Sequence, residues 1–362
     1  MIFNNQEPKG RAGNGGNERM KHQMILIGDV NLVGVTDPDV PFSKIAPTLK
    51  EADVVFANLE CCLYQSSRQR SEEEEGFYAT PAVGSALEMA GFHAVGNANN
   101  VNYGTEAILS SCQELDAMGI LHTGAGIDAN AARAPVILHR DGVGYGFVQR
   151  TSVYWPNNQE AAENFAGVAV IRAHTAYRAR FEFHRAMTRP GVAPDIVTWT
   201  DPEYLDRFRE DVAALRKVCD VLIASHHWGL AEEVLQYQKE IAHAAIEEGA
   251  DIVVGHGVHF PLGVEIYKHK PILYGLGNFC FQLGHKGRQH GDWIGMMARV
   301  TVEDGEIVKV SLSLVRQTGR NETILRPVAE EPAEMETIIA RCRELGTEIE
   351  TDGEDALVWQ KG

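Results

Sequence analysis

No run of about eighteen consecutive apolar residues occurs in the chain, which excludes a hydrophobic transmembrane helix and leaves a membrane off the list of expected partners. Residues 1–23 are rich in Asn, Gly, Gln, Glu and Lys rather than Leu or Ala; they read as a flexible polar leader, not a secretory one. Cysteine is scarce and unpatterned. Cys61, Cys62, Cys112, Cys219, Cys280 and Cys342 include no CxxC pair, which argues against a thiolate zinc site or a disulfide framework and makes a reducing cytoplasm the simplest reading. Basic residues are also few, 33 Lys and Arg against 50 Asp and Glu for a net charge of −17. Nucleic acid, which demands clustered positive charge to displace counterions, is therefore not an expected partner. Gly142, Gly144 and Gly146 fall in a predicted hairpin instead of a strand-to-helix turn, so no dinucleotide fingerprint is present.

What remains is an ordinary globular composition, 44% hydrophobic and 23% charged over 362 residues, enough to bury a sizeable core. MILIG (Met24 to Gly28) and DVVFAN (Asp53 to Asn58) are short continuous apolar runs, as buried strands are. A predicted helix from Ser85 to Ala90 leads into HAVGN, and one from Glu106 to Met118 leads into GILHTG. Between Pro135 and Arg150 the pattern becomes a hairpin, VILHR and YGFVQ around Asp-Gly-Val-Gly. Asn157 to Thr200 is harder to read; Ala173, Tyr177 and Phe181 fall at helical spacing, and the segment is expected to be an insertion or lid. Asp201 with Pro202 reads as a helix start, and a helix near Leu235 to Glu248 ends at Gly249 ahead of the strand DIVVG. Short strands and a helix near Ala333 to Leu345 complete an α/β fold of mixed, largely parallel sheets layered with helices.

The polar residues are placed systematically. In open α/β sheets ligands bind beyond the carboxyl ends of the strands. Here six predicted strands end in Asp29, in Asn58 and Glu60, in Asn97, Asn99 and Asn100, in His226 and His227, in His256 and His259, and in Asn278. Any one of them reads equally well as a cap, a turn or a satisfied core histidine; six together point to one site. Carboxylate, amide and imidazole donors suit Mn, Zn or Fe, and two such ions would polarise a phosphoryl or carbonyl oxygen.

The motifs GDVNLVG (Gly28 to Gly34), ANLE (Ala57 to Glu60), ANN (Ala98 to Asn100), HWG (His227 to Gly229), EEGADIVVGH followed by His259, and YGLGNFCF (Tyr274 to Phe281) resemble those of the CapA family. These are bacterial capsule, or poly-γ-glutamate, synthesis proteins with a calcineurin-like metallophosphoesterase fold. The resemblance implies a four-layer αββα domain over residues 24–325, with 157–200 as its insertion and 326–362 as a C-terminal helical extension. It implies that Asp29, Glu60, Asn100, His227, His256 and His259 occupy the metal positions, supported by Asn58, Asn99 and Asn278. The chain also departs from the family. ANNH reads ANNV, placing Val101 where an imidazole would protonate a leaving group; GHHPH reads GHGVH, with Gly257 for an imidazole; Asn31 stands where phosphoesterases carry His; and the family's usual N-terminal anchor is not expected from the polar residues 1–23.

Three functions follow from these residues. The first is a metal-dependent hydrolase of a phosphoester or amide in a small anionic or peptidic substrate, with His226, or His290 paired with Asp292, as general acid beside His227. The second is a metal-independent epimerase or isomerase acting on a peptide. The third is a non-catalytic component that binds a polyanion. Arg178 and Arg180, from the stretch Arg172 to Arg189, and Lys286 and Arg288, grouped in sequence with Lys268 and Lys270, are the candidates for holding an acidic substrate.

Overall fold

Apolar continuity makes Lys21–Asn31 the strand on which the larger sheet is built, with nine of its residues buried. The computed structural model describes residues 20–66, 76–156, 159–180, 188, 191–229 and 232–361. On one side of this first strand lie Val54–Leu59, Ala94–Gly96 and Leu121–Thr123, all parallel. On the other side the order continues antiparallel through Ile294–Glu303, Glu306–Gln317, Ala356–Gln360 and Glu350–Thr351. Asn278–Phe281 joins the carboxyl end of the first strand in parallel.

A second sheet runs in the order Val264–Tyr267, Lys270–Leu273, Ile252–His256, Val221–His227, Val143–Thr151, Val136–Arg140. Its central pairings are parallel and its outermost strands antiparallel. The predicted hairpin turns at Asp141 and Gly142, both at positive φ (47° and 87°), as a tight two-residue turn requires. Asp201 caps the helix Pro202–Arg216 by accepting a hydrogen bond from Glu203 N, 3.0 Å away. The helix Gln236–Glu247 gives way at Gly249, as its sequence predicts.

Side-chain alternation along the strands sorts the core into layers. Leu26 and Phe56 of the larger sheet meet Phe147, Ile223 and Val254 of the second. At the middle of that interface the Phe56 and Phe147 rings stack 4.9 Å apart at 7°. The opposite face of the larger sheet, with Ile25, Val55 and Val95, is covered by Leu49, Leu87 and Leu115 from the helices Ala46–Lys50, Ser85–Ala90 and Thr105–Ala117. That of the second sheet, with Val148, Leu222 and Val253, packs on Phe208, Leu215 and Ile241. The result is the helix, sheet, sheet, helix order expected of an αββα fold.

Three expectations change. Ala173 and Tyr177 belong to a strand, Ala173–Arg178, paired with Asp195–Thr200, not to a helix; Phe181 lies outside the described residues. The β-branched residues Thr175, Ile196, Val197 and Thr198 favour this pairing. The ribbon rests on the helix Gln236–Glu247 through Tyr237 N to Thr198 Oγ1 (3.2 Å) and Thr200 N to Glu240 Oε2 (2.8 Å). Second, the chain beyond residue 325 is not only helical. After the helix Pro332–Glu344, Ala356–Gln360 pairs with Glu306–Gln317, and the expected boundary falls inside the strand Thr323–Arg326. Third, the first strand begins at Lys21, inside the expected leader, of which residues 1–19 lie outside the described residues.

Because the two sheets meet through Phe56 and Phe147, Phe56→Ala should lower unfolding stability by about 3–5 kcal/mol, read by urea denaturation. A loss under about 1 kcal/mol would mean that this contact does not hold the sheets together.

Candidate metal centre

Strand register brings the strand-end residues to one level. Asp29 is aligned with Asn58 on one side and Asn278 on the other, while His227 is aligned with His256 and Thr151. Asp29, Asn58, Glu60, His227, His256 and Asn278 are all buried. The Asn58 amide donates to Asp29 Oδ1 at 2.9 Å and to Glu60 Oε2 at 3.2 Å, so a single neutral group spans both carboxylates. Gly257 N donates to Asp29 Oδ2 at 3.1 Å. His259 Nδ1 lies 3.0 Å from Asn278 Oδ1 and 3.4 Å from Asp29 Oδ2, and its Nε2 lies 3.5 Å from Glu60 Oε1. His227 Nε2 approaches that same Glu60 oxygen to 3.9 Å, and His256 Nδ1 approaches Asp29 Oδ1 to 3.5 Å.

Asp29, Glu60 and His259 each offer a ligand atom within 4.8 Å of the others. His227 Nε2 and both ring nitrogens of His256 are buried without a hydrogen bond. An unmet buried polar atom costs about 1–3 kcal/mol, so three at one place mark a site built for something other than internal hydrogen bonding. Two carboxylates with three imidazoles are a donor set that fits a divalent transition ion.

The charges are mutually dependent. Burial alone would raise the Asp29 pKa, but His256 and His259 beside it hold it well below the usual carboxylate range. Burial would lower that of His259, yet the Glu60 and Asp29 carboxylates raise it to about 9. His259 also takes a positive φ of 64°, a strained backbone for a non-glycine residue and a common mark of functional positions. Gly257, at φ 92°, is required locally: a Cβ there would stand 2.6 Å from His227 Nε2.

The other predicted residues are placed as follows. His226 points to the opposite face of its strand from His227, bonded to Ser152 Oγ (3.1 Å) and packed 4.7 Å from Trp228. Adjacent strand residues alternate faces, which removes His226 from the cluster as a general acid. Burial, reinforced by the charge of Arg150, lowers its pKa well below the usual value. His290 does reach the cluster, 5.1 Å from the His259 ring and 3.4 Å from Asn278 Nδ2. Burial and the charge of His259 lower its pKa. Its expected partner Asp292 instead pairs with Arg316 at 3.2 Å. Asn99 donates to Leu59 O (2.9 Å) and Asn58 Oδ1 (3.4 Å); Asn100 is half-buried and, among the described residues, forms no hydrogen bond to the cluster. Val101 is buried in the apolar core. Lys286 and Arg288 are exposed on the segment that carries His290, whereas Lys268 and Lys270 are taken up by Glu247 and Asp251. Arg178 and Arg180 lie on the ribbon, near Asp195 at 3.5 and 3.6 Å.

Sequence reasoning overlooks Gln149 and Thr151. Gln149 accepts from Ala98 N (2.6 Å) and donates to Asn58 Oδ1 and Ser225 Oγ (3.2 Å each), linking the sheets beneath the site. A polar residue at the end of the otherwise apolar run YGFVQ is the signal for it. Asn31 donates to Leu283 O at 2.7 Å and so ties the first strand to the segment leading to His290.

The layer order and this strand-end cluster define a four-layer α/β protein with a candidate metal centre at the strand ends. More particularly, the chain matches the family described as bacterial capsule synthesis protein PGA_cap over residues 11–283, and it belongs to that family. It is 25% identical to the PGA biosynthesis protein CapA of Bacillus subtilis, over 68% of this chain and 58% of that one. It is 29% identical to a probable polyglutamine synthesis accessory protein of Mycobacterium tuberculosis, over 62% of this chain and 55% of that one. The chain thus spans little more than half the length of these relatives. The NAD nucleotidase of Haemophilus influenzae superposes over 86% of this chain and 50% of its own, with 12% identity and a TM-score of 0.37, a likeness from which no chemistry follows. No helix among the described residues is long and apolar enough to cross a membrane.

Asn58→Asp would replace the bridging amide with a third carboxylate. The metal-free protein should lose about 1–3 kcal/mol at neutral pH, with part of the loss restored by millimolar Mn²⁺, as thermal melts would read. Unchanged melting would show that Asp29 and Glu60 do not depend on the amide.

Proposed function

We propose that this protein is a divalent-metal-dependent hydrolase of a phosphoester or amide bond in a small anionic or peptidic substrate, serving capsule or poly-γ-glutamate metabolism. The observation that carries the reading is the set of three unpartnered imidazole nitrogens on His227 and His256, buried beside Asp29 and Glu60. Asp29, Glu60, His227, His256 and His259 would hold the ion or pair of ions, and the donor set accommodates Mn, Zn or Fe. A divalent ion held there supplies Lewis acidity toward a phosphoryl or carbonyl oxygen.

The rest is work for the chain's own side chains. Asn58 holds the two carboxylates together by donating to both. Asn278 steadies both His259 and His290. His290, half-buried at the edge of the cluster, is the imidazole available to move a proton at the leaving atom, the role that Val101 leaves open. Lys286 and Arg288, exposed on the same segment, supply positive charge for an anionic group of the substrate. Five of the six cysteines are buried, in keeping with action in a reducing cytoplasm.

The test is elemental analysis beside turnover. Protein purified without chelator should carry about one or two ions per chain, and the double variant His227→Ala, His256→Ala should lose both the ions and at least about 100-fold in hydrolysis of phosphoesters or γ-glutamyl amides. Full activity in excess chelator, with deuterium entering a peptide Cα from heavy water, would replace this reading with metal-free epimerisation.

A further inference from the structure

Two imidazoles flank one oxygen of Glu60, with His259 Nε2 at 3.5 Å and His227 Nε2 at 3.9 Å. What a neutral imidazole presents at Nε2 depends on whether its proton sits on Nδ1. For His227 the answer comes from Thr151, its aligned neighbour on the adjoining strand.

The Thr151 hydroxyl carries a single hydrogen, and that hydrogen is committed: Oγ1 donates to Val153 O at 2.7 Å. The same oxygen accepts from Val153 N at 3.1 Å. Its remaining contact, His227 Nδ1 at 3.1 Å, can therefore form only if the imidazole donates. A neutral ring with its proton on Nδ1 has a bare lone pair on Nε2, and His227 Nε2 is buried without a partner.

We infer that Thr151 is a positioning residue: through this hydrogen bond it fixes His227 in the Nδ1–H form and directs the Nε2 lone pair into the space beside Glu60. The inference rests on the metal-dependent reading above and extends it to a residue outside the ligand set. Both the fixed tautomer and the fixed ring plane matter, because a ring free to carry its proton on Nε2 would satisfy itself by donating to Glu60. The bland role for Thr151, closing the turn to Val153, predicts no effect on the imidazole.

The experiment combines ¹⁵N NMR of histidine-labelled, metal-free protein with Zn²⁺ and Mn²⁺ affinity measured by chelator competition, for wild type, Thr151→Val and Thr151→Ser. In wild type, His227 should show a protonated Nδ1 and an unprotonated Nε2. Thr151→Val should shift the proton toward Nε2 and weaken ion binding by about 10–100-fold, and Thr151→Ser should restore both. Wild-type His227 with its proton on Nε2 overturns the inference, as does a folded Thr151→Val variant that binds ions like wild type. If the valine variant does not fold, the wild-type spectrum and the serine variant decide, and a serine variant with the proton moved to Nε2 counts against it. Wild type that shows the Nδ1–H form but binds no ion overturns the metal-dependent reading and, with it, the purpose assigned to Thr151.

Discussion

The site depends on holding two carboxylates buried and adjacent. Asp29 and Glu60 are almost wholly removed from water, a placement that would drive one of them to take up a proton if nothing compensated. The Asn58 amide compensates from between them and His259 from above, the one by hydrogen bonding and the other by charge. Asn58 is itself held at its oxygen by Gln149 and Asn99, which anchors the arrangement to the second sheet and to the turn after Ala94–Gly96. The four-layer fold therefore does more than bury apolar surface. It sets opposing strand ends at the same level, so that donors from both sheets converge.

Backbone proximity supplies the rest of the precision. A Cβ at Gly28 would lie 1.8 Å from Gly277 O, so the absence of a side chain there allows the first strand to meet the turn before Asn278, and Asp29 N bonds Gly277 O at 2.9 Å. The same contact brings Asn278, and through it His259 and His290, to the Asp29 carboxylate. Gly257 acts similarly on the opposite wall, giving its N–H to Asp29 while leaving room for the His227 ring. The family departure at this position therefore gives up an imidazole while keeping the backbone donor.

Much of this was legible in sequence because strand ends are. Continuous apolar runs closed by Asp29, Asn58, His227, His256 and Asn278 marked both the strands and the residues that gather beyond them. Helix boundaries signalled by a cap or a glycine, at Asp201 and Gly249, also agree with the structure. Features that depend on facing or tertiary pairing were hidden. Adjacent His226 and His227 look equivalent until alternation sends one to each face, Asp292 looks like a partner for His290 until Arg316 takes it, and the ribbon at Ala173–Arg178 mimics helical spacing over a few residues. Gln149 and Thr151 act on neighbours from other strands, which local sequence does not display.

The most direct test of the account is proton release on ion binding to the metal-free protein, measured by titration calorimetry in two buffers of different ionisation enthalpy. Below its pKa of about 9 His259 holds a proton between Asp29 and Glu60, and a ligating imidazole must surrender it. The account predicts release of about one proton per ion at pH 7.5, with apparent affinity climbing about tenfold per pH unit and levelling above pH 9. Ion binding that releases no proton and has the same strength from pH 6 to 9, or no binding at all, would contradict it.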